Sequence, residues 1–410
     1  MKIVLLAGGK GTRLWPATTD NIPKQFLKIF DNSTMIQKIY DQLCGIYNKN
    51  DIYISTNKEY KKQIKKILKK FNNFIIEPNS NGTYSAILNI SAYFKFKDKI
   101  KKDESICILP IDLNVNSEFF EIINEANNKV KKTKTICLIG VTPTFPSEQY
   151  GYIIHSGNVV KEFKEKPNRI QALELMSQNA LWNTGIVITN LGKLYAHLDK
   201  YKFKDYNDFI KRYMEINKGS FDVNVLEKEK KLLVVNSKSK WCDIGLWENL
   251  APILSNKDIY NTDIINLENK KIINDGINNA IIINSKEGLK LIKKKNNIDI
   301  KSWGLYEELE IIDDNIKINK INILSGRNTS YKFNTDINLD LFIKSGEGEI
   351  IIDGKIEKMY SNKKISIQKN QKYAIKSNNT LEIIIIEYGG VKNNIQEIIE
   401  SDWEKIIKEK

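Results

Sequence analysis

Histidine is nearly absent: the chain of 410 residues holds two, His155 and His197. That scarcity argues against a histidine-built metal centre and against a Ser-His-Asp triad. His155 alternates with apolar residues in YIIHSG and reads as a strand residue without chemistry. Cysteine is sparse too. Cys44, Cys107, Cys137 and Cys242 stand far apart with no CxxC pair, which reads as free thiols in a reducing cytoplasm. No apolar run reaches membrane-spanning length, and the opening stretch 3–7 is too short for a signal-peptide core. Zinc-finger and RNP-type motifs are missing, and stacking aromatics are not interleaved with the basic runs. The net charge of +14 therefore belongs to solvated faces such as KKQIKKILKK, and neither a nucleic acid nor a membrane is expected as partner.

What is present suits a globular protein of two or three domains, since 410 residues exceed one ordinary core and 41% of them are hydrophobic. The first half alternates apolar runs (KIVLLAG, DIYIST, NFIIEP, SICILPID, TICLIGV) with amphipathic segments such as MIQKIYDQL. That alternation predicts an α/β domain over 1–258, with a Rossmann-like, mixed but mainly parallel sheet flanked by helices. Ligands of such sheets sit at the carboxyl ends of the strands, where the opening loop and LPIDLN both fall. Helical periodicity then fades, and 259–300 reads as a linker or small β region. Short strands separated by turns such as SGEG and DGK predict an all-β barrel over 301–390. Ile395, Ile398, Ile399, Trp403 and Ile406 predict an amphipathic helix over 391–410.

The loop GGKGTRLWP follows the first strand. Glycines there admit positive φ and bring backbone N–H groups close to a ligand, while Lys10 and Arg13 add charge suited to phosphate. It is not a P-loop, which needs Lys-Ser or Lys-Thr after its second glycine. It is not the dinucleotide fingerprint either, because Leu14 occupies the third glycine position. The longer phrase GGKGTRLWPATTDNIPKQFLKI adds Lys24 and so aims two cations at one anion.

This phrase resembles the signature of the nucleotide-sugar pyrophosphorylases, and PKQFL resembles the bacterial mannose-1-phosphate guanylyltransferases in particular. EP at 77–78, LPID at 109–112, YGYI at 150–153, FKEKP at 163–167, WNTGI at 182–186 and WCDIGLW at 241–247 follow in the family's order. The resemblance implies a Mg²⁺-dependent enzyme joining a sugar 1-phosphate to the α-phosphate of an NTP, with release of pyrophosphate. GTP and mannose 1-phosphate are the implied substrates. Another NTP, or another phosphorylated sugar or polyol, is the alternative.

By the same resemblance, Leu6, Ala7, Gly8, Gly9, Gly11, Thr12 and Arg13 cradle the nucleotide. Lys24, Glu77, Asn81, Gly82, Thr83 and Asp112 complete its site. Arg13, Lys24 and Lys166 carry the catalytic charge. Asp112 and Asp243 share the Mg²⁺, and Gly151, Glu165, Lys166 and Asn183 hold the sugar. Read on its own, a lone Asp after a strand is more often a helix cap, and Trp15, Trp182 and Trp247 read as packing residues.

Two departures bear on this. Leu113 stands where the family has a histidine, and NSNGTYSAI replaces the usual stretch after EP, which leaves guanine preference the least secure expectation. The β region from WGLYEELE onward resembles the cupin domain of bifunctional enzymes that also isomerise mannose 6-phosphate, but no histidine lies beyond residue 197. A metal-free, isomerase-inactive domain is expected there, serving oligomer contacts or cover for the catalytic domain. A cytoplasmic location is expected, and association as a homodimer is left open.

Overall fold

The computed structural model describes residues 1–30, 33–116, 118–239, 241–257, 261–268, 271–294, 298–313, 315–390 and 396–408. They form two compact units. One comprises Met1–Asn168 and Leu175–Lys294; the other comprises Arg169–Glu174 and Lys295–Lys410.

The first unit is built on a nine-stranded mixed sheet. Its strands are β1 (Lys2–Leu6), β2 (Ile52–Thr56), β3 (Phe74–Ile76) and β4 (Ser105–Pro110), then β5 (Ile136–Val141), β6 (Tyr152–Ser156), β7 (Val159–Lys164), β8 (Leu181–Asn190) and β9 (Leu232–Ser237). The spatial order is β3-β2-β1-β4-β8-β5-β9-β7-β6. β1 runs parallel to β2 and β4, and β2 runs parallel to β3, so the opening strand is central. β8 is antiparallel to both β4 and β5 and joins the two halves. Central parallel strands are covered on both faces, so they read as unbroken apolar runs. Val4, Ile54, Ile106, Ile108 and Leu138 are all buried.

Helices pack on the sheet with the capping their sequences supply. Thr34 caps Met35–Cys44 by accepting from the Gln37 N–H at 3.3 Å, and Asn57 caps Lys58–Ile67 by accepting from the Tyr60 N–H at 2.8 Å. The helix Thr83–Ala92 is buried from Tyr84 to Ala92 and is apolar on nearly every side, as an interior helix must be.

A short ribbon sets the geometry of the site. Leu113–Val115 pairs antiparallel with Trp241–Asp243, with Asp243 opposite Leu113. Residues 256–293 supply a four-stranded sheet that belongs to the same unit. Its Ile265, Ile281 and Ile283 share a core with Leu14, Met35, Ile244 and Trp247. The stretch expected as a linker or small β region is thus a small sheet packed with Leu14 of the glycine loop, and its expected start at 259 lies outside the described residues.

In the second unit, six- and five-stranded sheets enclose one core containing Ile321, Leu341, Ile350, Ile375 and Ile383. This is the expected all-β arrangement. The terminal helix is shorter than expected. Gln396–Glu400 is a strand paired with Tyr331–Asn334, and only Trp403–Lys408 is helical. Consecutive Ile398 and Ile399 suit an edge strand, and pairing with a waiting neighbour overrides the helical spacing. Residues 391–395 and 409–410, also expected as helix, lie outside the described residues. No helix among the described residues is long and apolar enough to cross a membrane.

Candidate active site

The glycine loop leaves β1 and turns at Gly11, whose φ of 73° is left-handed and whose missing Cβ leaves room for the Lys24 side chain. Two bonds fix this turn: Thr18 Oγ1 donates to the Gly11 carbonyl at 2.9 Å, and the Leu14 N–H donates to it at 3.0 Å. Thr56 Oγ1 and Gln25 Nε2 both donate to the Ala7 carbonyl, at 2.9 and 3.3 Å. Ala7 is therefore held as scaffold. Thr12 and Arg13 remain exposed, while Leu14 is buried as their anchor.

Four charged groups meet beside this loop. Lys24 Nζ pairs with Asp112 Oδ2. The ribbon carries Asp243 alongside Asp112, and the Ile244 N–H donates to the Asp112 carbonyl at 3.0 Å. A Cβ built on Gly245 would lie 2.8 Å from Asp243 Oδ1, 3.0 Å from Asp112 Oδ2 and 3.6 Å from Arg13 Nη2. One small volume is thus bounded by two carboxylates and a guanidinium, and any side chain larger than glycine's would press the carboxylates aside. Burial alone would push the Asp112 carboxyl up. Lys24 and Arg13 outweigh burial and hold it below the usual carboxylate range. Asp243 is pushed up to about 6, by burial first and then by the charge of Asp112.

A crowded carboxylate pair with one member driven towards protonation suits a small divalent cation. Hard oxygen ligands are the right type for Mg²⁺, which commonly takes one or two protein carboxylates and completes its shell with substrate phosphates and water. Among the described residues, no group of three or more His, Cys, Asp and Glu stands at metal-binding spacing. Asp112 and Asp243 together could hold such an ion through carboxylate oxygens.

Next to this pair lies a cavity of about 230 Å³. Of the expected nucleotide residues, Leu6, Gly8, Gly9, Lys24, Glu77, Gly82, Thr83 and Asp112 line it, joined by Ser55 and Ser80. Glu77 Oε1 accepts from the Tyr213 hydroxyl at 2.7 Å, and burial raises the Glu77 carboxyl above its ordinary value. Asn81 serves differently from expectation. Its amide is buried and donates to the Ile216 carbonyl at 3.0 Å, anchoring the loop rather than facing the cavity. Thr83 Oγ1 accepts from the Phe221 N–H at 2.9 Å.

The expected sugar residues form a second cluster. A Cβ on Gly151 would lie 2.7 Å from Glu165 Oε2, and the Asn183 N–H donates to the Gly151 carbonyl at 2.8 Å. Lys166 pairs with Glu165 Oε1 at 2.8 Å, and its own φ of 44° is left-handed, a costly backbone for a lysine before proline. Asn249 joins the clusters: its Nδ2 donates to the Tyr150 hydroxyl at 2.7 Å and to the Asp243 carbonyl at 2.8 Å. Trp182 packs on Tyr150 beside Trp241 and Trp247 is buried, as packing residues should be, whereas Trp15 is exposed.

A family model described as nucleotidyl transferase matches residues 2–258. The chain belongs to the nucleotidyl transferase family. It is similar to mannose-1-phosphate guanylyltransferase 2 of Escherichia coli O157:H7, at 25% identity over 94% of both chains. It is also similar to the mannose-1-phosphate guanylyltransferase of Klebsiella pneumoniae, at 23% identity over 94% of both. The crystal structure of mannose-1-phosphate geranyltransferase from Thermus thermophilus shares the fold. That match has 21% identity and a TM-score of 0.60, and it covers 71% of this chain and 94% of that one.

For this nucleotidyl transferase, sequence reasoning missed Gly245, Asn249, Ser55, Ser80 and Tyr213. Gly245 lies within WCDIGLW, where the aspartate carries the recognisable chemistry. The others carry no local signal, because contacts between distant segments bring them in.

Proposed function

We propose that the chain is a Mg²⁺-dependent nucleotidyltransferase that joins mannose 1-phosphate to the α-phosphate of GTP, giving GDP-mannose and pyrophosphate. The observation that carries this is the convergence of Arg13, Lys24, Asp112 and Asp243 beside a cavity lined by Leu6, Gly8, Gly9, Glu77 and Thr83. A phosphate oxygen of the sugar 1-phosphate attacks the α-phosphorus. A new P–O bond forms, the bond to the bridging β-oxygen breaks, and its electron pair leaves on pyrophosphate. Two anions must approach each other, so charge neutralisation and alignment supply most of the rate. Arg13 and Lys24 carry that charge on the nucleotide side, and Lys166 carries it on the sugar phosphate. A Mg²⁺ held by Asp112 and Asp243 would supply further charge neutralisation at the reacting phosphates.

Glu77 supports guanine over the other bases. A carboxylate only accepts hydrogen bonds, and guanine presents two adjacent donors, N1–H and the N2 amino group. Adenine and cytosine offer a donor beside an acceptor, which a carboxylate meets less well. We also infer no mannose 6-phosphate isomerisation in the β unit, because both histidines lie outside residues 295–410.

The test is pyrophosphate release with Mg²⁺ for four NTPs crossed with a panel of sugar 1-phosphates. Turnover restricted to GTP with mannose 1-phosphate is expected. A different productive pair would keep the chemistry and overturn the substrates; no turnover with any pair would overturn the reaction.

A further inference from the structure

Asp222 lies on a segment that links Thr83, at the cavity, to Asn183 of the second cluster. Residues 219–222 are tied on one side to the nucleotide cavity, where Tyr84 N–H donates to the Gly219 carbonyl at 3.1 Å and Phe221 N–H donates to Thr83 Oγ1 at 2.9 Å. On the other side, Asp222 Oδ1 accepts from Asn183 Nδ2 at 3.0 Å. The capping role that a lone Asp usually fills is taken by Ser220, whose Oγ accepts from the Val223 N–H at 3.2 Å.

The surroundings of Asp222 are costly for an ionised group. Burial, and next the charge of Glu165, push its carboxyl up to about 6. Among the described residues, Asn183 is the one side chain that donates to it. The Glu165 carboxylate pairs with Lys166 Nζ at 2.8 Å, and its backbone N–H donates to Glu227 Oε1 at 3.1 Å. Asp222 keeps acceptor capacity beyond its bond from Asn183, which is costly for a buried carboxylate but suits a ligand rich in hydroxyl donors.

We propose that Asp222 is a further sugar-binding group, accepting a hydrogen bond from a hydroxyl of the bound sugar 1-phosphate. The proposal rests on the reading of Glu165 and Asn183 as sugar contacts. Its effect falls on the sugar and not on the nucleotide, because Asp222 bonds to the Asn183 amide while the nucleotide side of its segment is held by backbone groups.

The experiment uses the full chain and its Asp222→Asn, Asp222→Ser, Glu165→Gln and Asn183→Ala variants, with thermal melting to monitor folding. KM is measured for mannose 1-phosphate and for GTP, and then for mannose 1-phosphates lacking one ring hydroxyl at a time. Loss of a hydrogen bond to a charged group predicts a KM for sugar raised about ten- to a hundredfold in both Asp222 variants, with the KM for GTP unchanged. One deoxy position should cost the parent enzyme heavily and cost Asp222→Asn almost nothing further, which a merely structural role would not produce. Equal deoxy penalties in parent and variant would overturn the proposal, as would equal rises in both KM values. If Glu165→Gln and Asn183→Ala raise the sugar KM while both Asp222 variants do not, the proposal alone fails. If none of the four variants moves it, the sugar-site reading fails and takes the proposal with it.

Discussion

Substituting Gly245 by alanine separates folding from chemistry. Gly245 does not have a positive φ, so alanine can take its backbone without strain. The added methyl carbon would stand 2.8 Å from Asp243 Oδ1 and 3.0 Å from Asp112 Oδ2, inside the 3.4–4 Å of ordinary contact. Both oxygens must therefore retreat by roughly half an ångström, and both are ends of side chains that can rotate. Folding should suffer little, by about 1 kcal/mol and a few degrees of melting temperature. Chemistry should suffer more, because misplacing reacting groups by about 1 Å can cost on the order of a hundredfold. Pyrophosphate release should fall about ten- to a hundredfold in Gly245→Ala, with the melting curve nearly superimposed on that of the parent. Turnover within a factor of two of the parent would refute the idea that this volume must stay clear. A collapse of melting temperature matching the lost activity would refute it as well.

Other expectations follow from the same geometry. Asp112→Asn and Asp243→Asn should each lower turnover by orders of magnitude while the chain stays folded by circular dichroism, since either removes a charged oxygen from the pair; near-normal rates in both would remove the metal assignment. Glu77→Gln should narrow the preference for GTP over ITP, which lacks the N2 amino group, by about ten- to a hundredfold in kcat/KM; an unchanged ratio would free Glu77 of any role in reading the base. Asp222 also predicts a pH effect on stability. Its folded pKa of about 6 lies above the ordinary 3.8, so the folded state holds the proton more tightly and stability falls as pH rises through that window. Asp222→Asn lacks this loss, so urea melts at pH 4.5 and 7 should show the variant gaining on the parent at the higher pH. Parallel behaviour of the two proteins would contradict the burial argument.

Much of this was legible in the sequence, and for physical reasons. Central parallel strands bury both faces, so KIVLL, SICILP and ICLIGV appear as continuous apolar runs, and their carboxyl ends mark where ligands sit. Chemistry-bearing residues on those ends, such as Arg13 and Asp112, could be named before any coordinates. Pairings between distant segments were not legible. Leu113–Val115 meets Trp241–Asp243 across more than a hundred residues, and neither three-residue strand has a periodicity to announce it. Asp222 was hidden for a related reason: its contact with Asn183 joins segments 39 residues apart. The terminal Ile398 and Ile399 fitted a helical stripe, but pairing with Tyr331–Asn334 decided their structure.

The most direct test of the account is phosphorus NMR of the chain mixed with GTP, mannose 1-phosphate and Mg²⁺. The γ-phosphate signal of GTP and the phosphomonoester signal of the sugar should disappear together. Equal amounts of pyrophosphate and a nucleoside diphosphate sugar should replace them, and omitting Mg²⁺ should abolish the change. Orthophosphate in place of pyrophosphate, or an unchanged sugar phosphate signal while GTP is consumed, would contradict the proposed transfer at the α-phosphorus.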